Sequence, residues 1–254
     1  GLIPKNDLLY AEVELANSEH DLVRAENSLE LAKASFNTAL RHDISMEVQL
    51  EDILTETPFG FSFEECLKTA LENRPELKAY QLKVDQAQSL VKIARSGYFP
   101  NISVVGNYSK FGDDPDVSGS EFQDQESWYV MAVARWDFWE WGKTKFQVDN
   151  SLAGENQSKD MLANVRDQVT LEVKNAYLIV KEAEKQIPVT KKSIEQAEEN
   201  YRINRERYQE QVATSTEVLD AQTILTRAKS DYANALGIYH ISQARLERVM
   251  GIIR

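Results

Sequence analysis

Residues 173–208 read VKNAYLIVKEAEKQIPVTKKSIEQAEENYRINRERY. Large apolar residues recur every seven positions: Val173, Val180, Ile187, Ile194, Tyr201 and Tyr208. A small residue follows most of them by three: Ala176, Ala183, Thr190 and Ala197. This is a heptad seam with one bulky and one small position, a pattern that lets neighbouring helices approach closely. The pattern predicts one long helix from Lys143 to Glu210, some 68 residues and roughly 100 Å at about 1.5 Å per residue. No compact globular domain needs a helix of that length. A coiled coil, a spectrin-like rod or a tube of helices does.

Moving outward, the same seam recurs at both ends of the chain. Near the start, Leu8, Leu15, Leu22, Leu29 and Phe36 lie seven apart, followed by Ala11, Ser18, Ala25, Ala32 and Ala39. Asn6 or Asp7 can cap that helix, which runs to Leu40. Near the end, Val218, Leu225, Tyr232, Tyr239 and Leu246 are followed by Ala221, Ala228, Ala235, Ser242 and Val249. A shift of 210 positions superposes the two segments without a gap, with identities at Leu9/Leu219, Ala11/Ala221, Leu15/Leu225, Asp21/Asp231, Ala25/Ala235 and Ala34/Ala244. This is an internal repeat. The first copy begins only at Gly1, running at once into a helical pattern, as expected of a piece of a longer protein whose first long helix and hairpin precede residue 1.

Between the helices the character changes. Residues 41–62 break the heptads; Met46 to Leu50 alternates and fits a short strand or an extended stretch, and Thr57-Pro58-Phe59-Gly60 is turn chemistry. Ser62 with Glu65 forms a capping box, and Pro75 fits the first turn of a further helix, with seam pairs Leu77/Tyr80, Val84/Ala87 and Val91/Ala94. Two segments of strand composition follow, Tyr98 to Phe111 and Ser127 to Phe138, separated by a polar loop over 112–126. Trp128 lies near the start of the second, and Trp136, Trp139 and Trp141 cluster past its end. Strands of about eleven residues can cross a bilayer's hydrocarbon layer, provided they join others in a closed barrel, and aromatic residues at strand ends suit an interfacial girdle. The plainer alternative is a hairpin packed on a helix.

The chain carries 41 acidic and 29 basic residues, a net charge of −12, which argues against a nucleic-acid partner and fits a solvated acidic surface or an acidic lumen that favours cations. The single Cys66 excludes an internal disulfide framework. His20, His42 and His240 have no metal-ligand spacing, and there is no phosphate-binding loop or nucleophile elbow. An enzyme, a metal site and a cofactor are not expected.

Several segments together resemble the TolC-type outer-membrane efflux proteins. Ala70-Leu71-Glu72-Asn73-Arg74-Pro75-Glu76-Leu77 resembles that family's A-L-x-x-N-P-x-L segment. Tyr98-Phe99-Pro100-Asn101-Ile102 resembles its approach to a strand, and Trp136-Asp137-Phe138-Trp139-Glu140-Trp141-Gly142 its strand exit. Glu217-Val218-Leu219-Asp220-Ala221-Gln222 resembles its helix start, and Leu246 to Gly251 its closing segment.

The resemblance implies a mainly α fold. Long antiparallel coiled-coil helices would belong to a periplasmic α-barrel, and one β-hairpin would join a trimeric outer-membrane β-barrel. It divides the chain into a returning helix of the first periplasmic hairpin (1–40), an equatorial linker (41–62), ascending helices (63–97), a barrel hairpin (98–139), and a long descending helix, tip turn (210–213) and returning helix (140–250). It implies a passive conduit in the outer membrane, mostly periplasmic, working as a homotrimer with a periplasmic adaptor and an inner-membrane pump. Relatives carry drugs, metal ions or polypeptides. Position by position, Gly1, Leu2 and Ile3 and the second tip Gln211, Val212 and Ala213 match adaptor-contact turns. The family's usual Gly is replaced by Gln211. Glu217 and Asp220 match an acidic pair at the pore constriction, two rings in a trimer, and Tyr208 a gate-side tyrosine. The basic gate residue of some members falls at Ala213. Trp128, Trp136, Trp139 and Trp141 would meet outer-membrane lipid. An acid in the first turn of a helix is favoured by the helix dipole in any protein, and a soluble coiled-coil scaffold remains the competing reading.

Overall fold

The computed structural model describes residues 5–110 and 126–252. Gly1, Leu2, Ile3 and nearly all of the 112–126 loop therefore lie outside the described residues. The elements run α1 (Lys5–Ala39), α2 (Phe63–Asn73), α3 (Pro75–Ser96), β1 (Asn101–Lys110), β2 (Glu126–Arg135), α4 (Lys143–Gln209) and α5 (Ser215–Val249). They group into two compact units, Gly1–Thr69 with Glu172–Arg254, and Ala70–Leu171.

In the first unit the seam is the core. Val173, Ala176, Val180, Ala183, Ile187 and Thr190 of α4 are all buried, in steps of three and four, and so is Ala197 one heptad on. From α5 come Ala221, Ala228, Ala235, Tyr239, Ser242 and Leu246. The ion pairs Arg207–Glu217 (3.7 Å) and Glu198–Lys229 (3.5 Å) show that α4 and α5 run antiparallel. Helix α1 lies beside α5 in the other sense. The hydroxyl of Tyr10 donates to Asp220 Oδ1 at 3.3 Å, and a groove of about 500 Å³ between the two is lined by Leu15, Ser18, Leu219 and Thr226. Tyr10 and Asp220 are 210 positions apart, so the repeat found in the sequence is also the physical register of these helices.

The two copies differ in cover. Leu246 is wholly buried, whereas its counterpart Phe36 is 43% exposed. Leu8, Leu15, Leu22 and Leu29 are exposed as well. Helix α1 already includes Asn6, so neither Asn6 nor Asp7 is the cap expected from the sequence.

The stretch from 41 to 62 holds no strand, so of the two readings of Met46–Leu50 the strand is not the one formed. The carbonyl of Met46 accepts from the buried Asn37 Nδ2 at 2.8 Å. A side chain thus satisfies backbone that would otherwise need a strand partner. Farther on, the stretch straps α4 to α5. Tyr239 donates to the Thr57 carbonyl at 2.6 Å, and a His240 ring nitrogen lies 3.0 Å from that of Thr55. Glu56 Oε1 accepts from Tyr232 at 2.8 Å and from Lys191 Nζ at 3.1 Å. Phe59 and Phe63 pack edge-on against Tyr177. The capping box then starts α2: Ser62 N donates to Glu65 Oε2 at 2.8 Å, and Glu65 N to Ser62 Oγ at 3.2 Å.

In the second unit, Val84, Ala87 and Val91 of α3 and Thr144, Val148 and Val169 of α4 are buried. Pro75 occupies the first turn of α3 as expected. A Cβ on Gly97 would meet Thr144 Cγ2 at 3.1 Å, so this glycine lets the end of α3 close on the start of α4. Strands β1 and β2 form one antiparallel hairpin, closed by a Lys110–Glu126 ion pair at 3.0 Å. They are shorter than the sequence segments. Pairing begins at Asn101, after Pro100, which has no N–H to donate, and its partner Arg135 ends β2. Trp136 and Phe138 therefore fall outside the strand, a correction to the extent read from composition.

Candidate functional site: the helical tip and the apolar hairpin

Two places concentrate the chemistry. The first is where α4 turns into α5. Helix α4 ends in a Schellman motif: Val212 N donates to Arg207 O at 2.9 Å and Gln211 N to Tyr208 O at 3.0 Å. Gln211 takes the left-handed conformation, φ 62, which explains why glycine suits this position. Thr214 caps α5, its side chain accepting from Glu217 N at 3.3 Å.

This turn sets Glu217 facing back across the hairpin, where it meets Arg207. Asp220, three residues on, meets Tyr10 of α1. The Asp220 carboxylate holds the Tyr10 phenol above its ordinary pKa, so the proton stays on the donor throughout the neutral range. Tyr208 is exposed and lies at the end of α4; its hydroxyl is not the one bound to Asp220. Val212 is exposed and Ala213 partly so, at the turn itself. The structure thus draws Glu217 and Asp220 into two polar contacts and adds Arg207 and Tyr10, which the sequence reading did not single out. Tyr10 was within reach: the repeat alignment sets it directly opposite Asp220.

The second place is the hairpin. Its register puts Ile102, Val104, Gly106 and Tyr108 of β1 beside Ala134, Ala132, Val130 and Trp128 of β2, all on one face. Those eight are apolar or aromatic, and the Lys110–Glu126 ion pair ends the same face. Ile102, Val104 and Trp128 are each 72% exposed. The other face mixes Asn101, Ser103, Asn107 and Ser109 with Tyr129 and Met131. Both faces are open, so the alternative of a hairpin packed on a helix is not what the structure adopts. Trp128 stands near one end of β2, and Trp136 (59% exposed), Trp139 (68%) and Trp141 (86%) follow the other. From Trp128 to Trp136 the chain runs about 26 Å at ~3.3 Å per residue, which at a barrel strand's tilt of about 40° gives a rise of about 20 Å, most of the apolar band of a transmembrane barrel.

Other chemistry is sparse. Cys66 is buried, and burial pushes its thiol pKa up, which disfavours the reactive thiolate. Among the described residues no group of three or more His, Cys, Asp or Glu could hold a metal ion. Among them, too, no helix is long and apolar enough to cross a membrane.

Residues 66–252 match the family described as outer membrane efflux protein. The antibiotic efflux pump outer membrane protein ArpC of Pseudomonas putida is 21% identical over 174 residues, covering 68% of this chain and 36% of the relative. The chain thus spans about a third of that curated relative. Among solved structures, the open state of the MtrE outer membrane channel of Neisseria gonorrhoeae superposes with a TM-score of 0.76 at 19% identity, covering 97% of this chain and 55% of that one. The outer membrane protein VceC of Vibrio cholerae gives 0.72 at 18%, covering 97% and 58%. These likenesses carry the fold: long coiled-coil helices with a small two-stranded sheet.

Proposed function

Because the chain belongs to the outer membrane efflux protein family, we propose that it forms part of a passive conduit across the outer membrane. The observation that carries this reading is the hairpin. Eight apolar residues share one face, uncovered, with Trp128 among them near one end and three tryptophans beyond the other. A hairpin alone leaves strand edges unsatisfied in lipid, so it must join others in a closed barrel. Three protomers would supply those strands, with the apolar face toward lipid and the mixed face toward the lumen. The helices would extend into the periplasm as a tube and meet an adaptor at the tips, Gln211, Val212 and Ala213 in this part of the chain. An inner-membrane pump would supply the energy. A soluble coiled-coil scaffold accounts for the seams but gives no use for the bare apolar face.

At the tip, Glu217 and Asp220 would form acidic rings in the trimer, favouring cations. Arg207 offsets the charge of Glu217, whereas the Asp220 carboxylate meets a neutral phenol, so selectivity should rest mainly on Asp220. The Tyr10–Asp220 hydrogen bond and the Arg207–Glu217 pair would also hold α1, α4 and α5 together there, and opening would part them. Tyr208 sits at the end of α4, beside this cluster, as a gate-side group. These assignments are tested by conductance of the full-length protein in planar bilayers. Reversal potentials should show that Asp220→Asn lowers cation preference more than Glu217→Gln, and that Arg207→Ala raises it. Conductance with selectivity unchanged in all three would keep the conduit and return these residues to ordinary helix-end chemistry. An absence of conductance from a protein that stays out of the bilayer would sink the conduit itself.

A further inference from the structure

Where the hairpin returns to the helices, the chain builds a pocket that the conduit reading leaves unused. It is an open cavity of about 520 Å³, lined by Trp136, Phe138, Trp139 and Trp141 together with Tyr98, Asp137, Glu140 and Lys145. The aromatic side chains are organised. Trp139 and Trp141 meet edge to face at 5.7 Å, Trp136 and Phe138 lie tilted at 6.2 Å, and the Trp136 indole donates to the Tyr98 carbonyl at 3.3 Å. Trp141 is held in the left-handed backbone region, φ 50, while 86% of it faces outward. A bulky residue in that conformation is unfavourable, and so is an exposed indole. The fold tolerates both in one residue, and the result is an aromatic plate at the mouth of the pocket.

The pocket carries both signs of charge. Glu140 is fixed by the Thr144 hydroxyl at 2.6 Å and Lys143 Nζ at 3.1 Å. The same contacts keep it ionised. Asp137 lines the same pocket, as does Lys145 from the first turn of α4. Aromatic faces next to carboxylates favour an organic ammonium, and a lysine close by favours a phosphate. One ligand class joins those two charges a few ångströms apart and is present wherever a barrel hairpin ends. We propose that this pocket binds the headgroup of a zwitterionic phospholipid. Its ammonium rests among the tryptophans and the carboxylate of Asp137, Glu140 being already paired with Lys143, and its phosphate rests against Lys145. The proposal depends on the outer-membrane reading and adds lipid selectivity to it: an anionic glycerol headgroup lacks the ammonium and would meet Asp137 as a like charge.

The test is native mass spectrometry of the full-length protein in a non-ionic detergent, offered equal amounts of phosphatidylethanolamine and phosphatidylglycerol. The expected result is retention of the ethanolamine lipid over the glycerol lipid by about fivefold, falling to near parity in Asp137→Asn and in Trp139→Leu. Both residues are exposed, so both variants should fold, which helical circular dichroism checks. Equal retention of the two lipids, or a preference that survives both substitutions, overturns the proposal. Flotation with vesicles separates the premises. A protein that enters bilayers without headgroup preference sinks only this inference, whereas one that does not enter them sinks the outer-membrane reading as well.

Discussion

Gln211 and Arg41 perform the same task at different ends of the unit. Each is the left-handed residue that closes a Schellman motif, at φ 62 and φ 58, after α4 and α1. Gly251 does so after α5, φ 74, and it is the repeat counterpart of Arg41. A side chain in that conformation costs about 1 kcal/mol relative to glycine. Gln211→Gly and Arg41→Gly should each raise stability by about that amount, read as an upward shift in thermal midpoint. A fall in either would show that the replaced side chain makes a contact outweighing the backbone gain. Position 211 stands out in the sequence because it departs from a familiar glycine. Arg41 does not stand out, because a left-handed backbone leaves no mark on composition. Tyr10 was missed for a different reason: heptad reading looks along one helix, and its bond to Asp220 crosses to another.

At the scale of elements, the strap from Thr55 to Phe59 ties α4 to α5 by a few well-defined bonds. Tyr239 is 1% exposed, and its hydroxyl serves the Thr57 carbonyl. Tyr239→Phe should therefore cost about 1 kcal/mol, measured by chemical denaturation. An unchanged midpoint would mean that water replaces the phenol. Glu56 gives the strap a pH dependence. The Tyr232 hydroxyl, and then Lys191, hold its carboxyl below the ordinary glutamate pKa. The contribution is complete above that ordinary value, about 4, and is lost as pH falls through the lowered one. Amide exchange over 52–59, taken relative to its intrinsic rate at each pH, should accelerate in acid below about pH 4, and Glu56→Gln should remove that acid step. Acceleration that persists in the variant would assign it to another carboxylate. The long helices were legible because a seven-residue period repeated over many turns has no other use. The short strand imagined at Met46 to Leu50 was not excluded by its sequence, since alternation there carries no information about Asn37, which takes the Met46 carbonyl. The strand ends were over-read because aromatic composition continues past Arg135 while pairing stops.

For the molecule as a whole, the uneven cover of the two repeat copies makes a comparative prediction. Leu246→Ala should cost about 2–5 kcal/mol, as a fully buried leucine does. Phe36→Ala, at the equivalent but exposed position, should cost well under half as much in this chain. Equal losses in denaturant melts would mean that α1 is covered in solution, for instance by self-association, which sedimentation would reveal. The family, the fold and the hairpin's place in it were readable from spaced residues across the whole sequence. Of the partners of the tip acids, Tyr10 could be found only through the 210-residue repeat, and Arg207 not at all, because each belongs to a different helix from the acid it meets.

The bond between Tyr10 and Asp220 has a further meaning. The two residues are the same position in two copies of one unit. Were the copies identical, that contact would bring a residue against itself: carboxylate against carboxylate, or phenol against phenol. Neither forms the donor–acceptor pair seen here, and the first would repel. A ring of identical units could not evolve this bond at any price in sequence, whereas a fused duplicate can, because each half mutates on its own. The bond is a trace of broken symmetry between two copies of one helix within a single chain.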